Sequence, residues 1–181
     1  MTQFGTLIFI TAMFNSHLRH VIDEREGATY LKTRGAVIQR ENEVRSGLPG
    51  RLGQPPFEPR GAWVLRTIIG DDIFERVDTI DIAGRKFDDK EMAQVAKCRQ
   101  VVTLIADWND ITDAGLVHIC KCRSLRAITL DGTKVTDDGL LRLETLDLVY
   151  LSIHRTNIGA GAIAKFKRAK PECVVESNTG P

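Results

Sequence analysis

A short stretch of this chain gathers the side chains that zinc prefers. His118, Cys120 and Cys122 lie within five residues, and the four-residue spacing of His118 and Cys122 would place both on one face of a helix. A structural zinc site needs four such ligands, with one pair spaced as in Cys-x-x-Cys, and only Cys98 is available as a fourth. We therefore predict no metal and no other cofactor, and we interpret Cys98 and Cys122 as reduced, buried thiols.

Adjacent carboxylates are the second group with chemical potential. They occur at residues 71–72, 88–89 and 137–138. Such pairs serve in acid–base catalysis or in cation binding. However, Asp89, Asp113 and Asp137 recur at a fixed interval of 24 residues. A residue needed at every interval is better explained by helix capping than by catalysis, which brings together groups from different surroundings. We predict that the protein is not an enzyme.

The 24-residue interval belongs to a repeat that runs through the second half of the chain. Four strand-like segments are apolar at their first, fourth and sixth positions. They begin at Val77, Val101, Leu125 and Leu148, at steps of 24, 24 and 23 residues. Period-two alternation predicts that the fourth and sixth side chains are buried, while those between them face solvent.

Each strand-like segment is followed by a turn and a block with helical spacing. In the two central repeats we predict helices that begin at Thr112-Asp113 and Thr136-Asp137, whose side-chain oxygens can accept from first-turn amides. The residues predicted to be buried on them are Leu116, Ile119, Leu140 and Leu143. One such unit cannot cover its own apolar face. We therefore predict an α/β solenoid of about four stacked repeats of 23–24 residues, with a parallel sheet on the concave side and helices on the convex side.

The repeat resembles the cysteine-containing class of leucine-rich repeats, which is ribonuclease-inhibitor-like. The likeness rests on Ile111–Leu116 (Ile-Thr-Asp-Ala-Gly-Leu), on Val135–Leu140 (Val-Thr-Asp-Asp-Gly-Leu), and on Cys98 and Cys122 just before a strand. It covers about residues 76–175 and is weaker in the two outer repeats. It implies a module that binds an unidentified protein partner through its concave face. A substrate-receptor role, as in F-box proteins, is a minor alternative.

The first 75 residues do not repeat. We predict an apolar N-terminal segment at 1–17, a helical cap region at 18–75 that contains a Pro/Gly-rich linker at 46–60, leucine-rich repeats at 76–175 and a tail at 176–181. Within the cap region, apolar spacing predicts a helix over 18–32 that terminates at Gly35, and a short strand near 36–38. A second predicted helix, over 62–69, would cover the open end of the repeats.

Residues 4–14 form a strongly apolar run. The run is shorter than the ~20 residues that span a bilayer. It also lacks a basic leader and a clear cleavage site. A packed core element, a shortened membrane anchor and a cleaved signal all remain open. The order of segments resembles small bacterial repeat proteins, many with an N-terminal anchor, which implies a membrane-tethered envelope or scaffold protein as the alternative function. The protein is accordingly either cytoplasmic or membrane-anchored.

The overall charge is nearly balanced. The formal net charge is +1 at pH 7, and 43% of the residues are hydrophobic. There is no basic run and no Gly-rich phosphate loop, so the composition does not favour nucleic-acid binding. We expect a monomer.

The predicted binding surface consists of the solvent-facing strand positions and the places that follow each strand. Trp, Tyr and Arg side chains often dominate interface energies. The predicted anchors are Ile105, Trp108, Tyr150 and Arg155, and the predicted polar contacts are Asp107, Thr129, Asp131 and His154. An alternative for Trp108 is that its ring folds back into the core.

Overall fold

A computed structural model describes residues 19, 22–40 and 77–178, in which strands and helices alternate. Helix α1 spans residues 22–33, and strand β1 follows at Val37–Arg40. The later elements are β2 (Val77–Asp81), α2 (Asp89–Val95), β3 (Thr103–Ile105), α3 (Asp113–Ile119), β4 (Ala127–Thr129), α4 (Asp137–Leu143), β5 (Tyr150–Ser152), α5 (Ala160–Ala169) and β6 (Val174–Glu176).

Several predicted segments lie outside the described residues. These are the apolar run at 4–14, the linker at 46–60 and the helix at 62–69. Within the described part of the chain, no helix has the length and apolarity needed to cross a bilayer. The three interpretations of residues 4–14 therefore stay predictions.

The six strands of the described residues form one sheet, in the order in which they occur along the chain. β1 pairs with β2 in antiparallel fashion, and each later pair is parallel. Corresponding repeat positions lie side by side, so that Leu104 pairs with Ile80 on one side and with Ile128 on the other. Parallel neighbours need a crossover connection, and helices α2 to α5 supply it. The fold is α/β with a mostly parallel sheet, an architecture compatible with stacked repeats.

The core lies between the sheet and the helices, where the sequence pattern placed it. The fully buried strand residues include Ile80, Leu104, Ile128 and Leu151. The four helix residues predicted to be buried, Leu116, Ile119, Leu140 and Leu143, are also 0% exposed. Successive helices from α2 to α5 pack against one another. Each such large aliphatic side chain contributes about 1.5–3 kcal/mol on burial, so this continuous core is the main source of stability.

The repeated aspartates bind the next repeat instead of capping their own helix. Asp113 accepts hydrogen bonds from the backbone N of Thr136 at 2.8 Å and from its hydroxyl at 2.5 Å. Asp89 makes the same pair of bonds to Thr112, at 2.8 and 2.6 Å. The predicted capping is only partly correct, since Thr112 accepts from the N of Ala114 at 3.2 Å whereas the Thr136 side chain makes no such bond. The carboxylates thus link one repeat to the next.

Helix α1 covers the first repeat. The predicted helix and its termination are confirmed, because α1 ends at residue 33 and Gly35 has a φ of +93°. Leu31 is fully buried in the core. A Cβ built on Gly27 would lie 2.8 Å from the carbonyl oxygen of Gln94, so α1 lies directly against the C-terminal end of α2.

The last strand crosses a predicted boundary. The sequence pattern predicts that the repeats end at residue 175 and that 176–181 is a tail, but β6 covers Val174–Glu176 and pairs in register with β5. The sequence pattern missed this strand because no apolar residue of β6 is fully buried. An outermost strand has a neighbour on one side only, and its hydrophobic alternation is correspondingly weak.

Candidate partner-binding face

The strand positions that point away from the core form what we call the outer sheet face. It comprises the non-core residues of β2 to β6 together with the second and third residues after β3, β4 and β5. Ile105 and Thr129, two predicted contacts, pair in register on this face and are half-buried. The hydroxyl oxygen of Thr129 is buried without a hydrogen-bond partner among the described residues. The strand alternation predicts that Ser152 faces solvent, and this prediction is wrong, because Ser152 is only 3% exposed.

The third residue after each of the strands β2, β3, β4 and β5 adopts a left-handed backbone. Gly84, Trp108, Gly132 and Arg155 occupy equivalent repeat positions, with φ of +64°, +58°, +67° and +54°. The N–H groups of Gly84, Trp108 and Gly132 each donate to a carbonyl of the next repeat, as Trp108 does to Asp131 at 2.7 Å. Glycine adopts this conformation at little cost, whereas another L residue loses roughly 1–2 kcal/mol there. Two of the four repeats therefore have a bulky side chain on a strained backbone, where the others have glycine.

Trp108 and Arg155 contact each other across the repeat that lies between them. The guanidinium carbon of Arg155 is 5.4 Å from the centroid of the Trp108 ring. The ring lies against Gly132, on which a Cβ would be 2.6 Å from Cζ3 of Trp108. Trp108 is still 56% exposed, so its ring is not folded into the core. These two predicted anchors form a single exposed cation–π unit.

Asn109 stabilises the turn that presents Trp108, and the sequence analysis did not select it. Its amide nitrogen donates to the carbonyls of Ile82, Ala106 and Asp107 at 2.9, 3.0 and 3.1 Å. Its oxygen accepts from the N of Phe87 at 2.9 Å, and the residue is 4% exposed. The signal for it was its place in the repeat, where the next two repeats have threonine.

Asp107 and Asp131 directly precede Trp108 and Gly132 and are oriented by hydrogen bonds. Asp107 Oδ1 accepts from the N of Asp131 at 2.9 Å, and Asp131 Oδ1 accepts from the N of His154 at 2.8 Å. The hydroxyl of Ser152 also donates to Asp131 Oδ1, at 2.7 Å, which explains why Ser152 is buried. Each carboxylate thus leans towards the next repeat.

Tyr150 and His154 meet at Glu176, another residue that the sequence analysis missed. The Tyr150 hydroxyl donates to Glu176 Oε2 at 2.8 Å, and this bond raises the pKa of Tyr150. His154 Nε2 is 4.0 Å from the same oxygen, while Nδ1 is 2.7 Å from Oδ1 of Asn178. Only the repeat interval indicates these partners, since Glu176 and Asn178 follow Ser152 and His154 by 24 residues.

The structure divides the predicted contacts into two clusters, one around Trp108 and Arg155 and one around Tyr150 and His154. No protein-family model matches the chain, and no curated protein is significantly similar to it.

The cysteines do not converge on a metal site in the described part of the chain. No group of three His, Cys, Asp or Glu side chains among those residues has the arrangement to hold a metal ion. Cys120 is half-buried, with Sγ 3.5 Å from the carbonyl of Arg142. Cys98 and Cys122 are fully buried free thiols. Burial raises the pKa of Cys98 to about 12 and that of Cys122 to about 11.

Stability is expected to fall in alkaline solution because of these two thiols. In the unfolded chain a cysteine deprotonates near pH 9, whereas in the folded protein Cys98 and Cys122 stay protonated until about pH 12 and 11. The unfolded state therefore binds fewer protons above pH 9. The contribution is fully present below that pH and is lost as the pH rises towards the folded values, by about 2 kcal/mol between pH 8 and 10. Urea unfolding under reducing conditions measures it.

The matched control for this experiment is the double variant Cys98→Ala/Cys122→Ala. It is less stable at pH 8, but its loss of stability between pH 8 and 10 should be much smaller than that of the wild type. An equal loss in both proteins would contradict the assignment of the effect to these thiols.

Proposed function

We propose that this chain is a non-enzymatic leucine-rich-repeat protein that binds a protein partner through its outer sheet face. The observation that carries the proposal concerns the four equivalent positions with a left-handed backbone. Trp108 and Arg155 occupy two of them, where the other repeats have glycine. Backbone strain of this kind clusters at active sites and ligand-binding sites. Trp and Arg are also the side chains that most often dominate protein interfaces.

The repeat assignment is supported by how the repeated residues are used. In the motif Thr-Asp-x-Gly-Leu, the aspartate binds the threonine of the next repeat, and the glycine leaves room for the aspartate of the repeat before it. A Cβ on Gly139 would lie 2.9 Å from Cγ of Asp113. Cys98 and Cys122 are buried at equivalent positions. This division of labour between neighbours is typical of a stacked repeat array.

The carboxylates that recur along the chain support a binding role in place of catalysis. Asp89, Asp113 and Asp137 each accept a backbone N–H of the following repeat. Both oxygens of Asp89 and Asp113 therefore join one repeat to the next, as does Oδ1 of Asp137. The outer sheet face, with five strands about 4.8 Å apart, is roughly 19 Å wide. On a contact of that width we expect a few anchors to supply most of the binding energy.

The test compares Trp108→Gly and Arg155→Gly with the wild type. Glycine is the residue of the equivalent positions, so it removes the side chain and the strain together. We expect each variant to weaken the affinity for the partner at least about tenfold, or about 1.4 kcal/mol. Partners are captured on immobilised wild-type protein and identified by mass spectrometry, and their dissociation constants are then measured by titration.

The matched control is Val117→Ala, an exposed apolar residue on α3, 44% accessible. This change should leave the affinity unaltered. The free energies of unfolding of the two glycine variants should stay within about 1 kcal/mol of the wild type, because strain relief offsets lost contacts. Unaltered affinity in both glycine variants, or global unfolding of both, would contradict the proposal.

A further inference from the structure

Three carboxylates of the outer sheet face form no ion pair within the described part of the chain. The ion pairs of the described residues involve other acids, Glu26, Glu91, Asp110, Asp147 and Glu176. Asp81 accepts from the N of Ala83 at 3.0 Å, while Asp107 and Asp131 accept the backbone bonds of the next repeat. In each case Oδ1 makes these bonds, and Oδ2 has no hydrogen-bond partner among the described residues.

These carboxylates lie close together on adjacent strands. Asp81 pairs in register with Ile105 on β3, two residues before Asp107. Asp131 follows β4 at the position equivalent to Asp107, and the 2.9 Å bond between its N and Asp107 Oδ1 joins the two. Like charges on neighbouring strands repel each other. A cation placed between them would relieve that repulsion.

The charge of this face differs from that of the whole chain. The chain carries a formal net charge of +1, yet Asp81, Asp107 and Asp131 give this part of the face a negative charge. Arg155, on the same face, is stacked on the Trp108 ring and is not a member of the ion pairs formed within the described residues. Complementary charge is the usual means by which an interface selects its partner.

We propose that the outer sheet face takes an extended basic segment of a protein partner. Arginine or lysine head groups of that segment pair with Asp107 and Asp131, and their aliphatic stems lie on the exposed Trp108 ring. Long basic side chains combine apolar stems with charged ends in this way. Alternate residues of an extended segment share one side and lie about 7 Å apart, so successive basic residues can reach neighbouring repeats. This inference rests on the proposed function and names the chemistry of its partner.

The probe is a fluorescein-labelled 12-residue peptide in which arginine alternates with serine. The same peptide with glutamine or with glutamate in place of arginine serves for comparison. Fluorescence anisotropy should show that the arginine peptide binds at least about tenfold tighter than the glutamine peptide, and that raising the salt concentration weakens it. In the NMR spectrum, the indole N–H signal of Trp108 should shift when the arginine peptide binds. The variant Trp108→Phe identifies that signal.

The deciding variant is Asp107→Asn/Asp131→Asn, which keeps an oxygen for the backbone hydrogen bonds and removes both charges. It should lower the affinity for the arginine peptide at least about tenfold. The matched control is Asp138→Asn, an exposed carboxylate on α4, which should leave the affinity unaltered. Circular dichroism confirms that each variant is folded.

Equal binding of the arginine peptide by the double variant and the wild type would overturn the basic-segment inference. Tighter binding of the glutamate peptide than of the arginine peptide would overturn it as well. That result would indicate that Arg155 pairs with an acidic partner. Neither result touches the proposed function, which is decided separately by the loss of captured partners in Trp108→Gly and Arg155→Gly.

Discussion

Replacement of Asn109 by alanine is expected to lower the free energy of unfolding by about 3–4 kcal/mol. Asn109 is 4% exposed and makes four hydrogen bonds to the backbone of two repeats. Without it the N–H of Phe87 and the carbonyl of Ala106 lose their partners in a buried turn. An unsatisfied buried group costs roughly 1–3 kcal/mol, and the vacated volume adds to the loss. Urea unfolding followed by circular dichroism measures the change.

Two further variants make this prediction specific. Asn157→Ala replaces an exposed asparagine in a later turn and should change stability by less than about 0.5 kcal/mol. Asn109→Thr should lower stability by an intermediate amount. Thr133, at the equivalent position, donates to the carbonyl of Leu130 at 2.6 Å, and a threonine at 109 can make the same bond to Ala106. If Asn109→Ala cost no more than Asn157→Ala, the turn would not depend on this side chain.

Replacement of Gly139 by alanine is expected to lower the free energy of unfolding by about 3 kcal/mol. The added Cβ would lie 2.8 Å from Cγ1 of Val135 and 2.9 Å from Cγ of Asp113. The Asp113 carboxylate would have to move, and its two bonds to Thr136 would be strained or lost. Thermal and urea unfolding both report this loss.

The same substitution at Gly161 provides the control. Gly161 lies in α5, and a Cβ there would meet nothing within 4 Å, so Gly161→Ala should raise stability by about 0.5–1 kcal/mol. The two glycine-to-alanine changes thus have opposite expected signs. Combining Gly139→Ala with Asp113→Ala should cost less than the sum of the single changes, because the collision is removed. Strict additivity would contradict the collision as the cause.

The sequence by itself predicted the elements of the repeats and the residues they bury. Ile80, Leu104, Ile128 and Leu151 recur with one spacing and are all fully buried. This works because burial on a strand or helix is set by local periodicity, which a sequence displays directly. It also predicted correctly that Gly35 terminates α1, since a left-handed residue at a helix end favours glycine.

The contacts between repeats were decided only by the tertiary structure. The spacing identified Asp113 as structural, but it did not reveal that the carboxylate reaches Thr136 in the next repeat. The strand alternation predicts that Ser152 faces solvent, but in the structure it is covered on the outer sheet face, where its hydroxyl bonds Asp131. Such contacts depend on the direction of side chains across neighbouring strands, which the periodicity of one strand does not specify.

The candidate site shows the same division. The sequence singled out Trp108 and Arg155 as residues that the repeat does not explain. Only the structure showed that both hold a left-handed backbone and that Gly132, between them, lets the ring approach the guanidinium. The physical reason is that the repeat specifies where each strand and turn lies, whereas the distance between side chains two repeats apart follows from the stacking of the whole sheet.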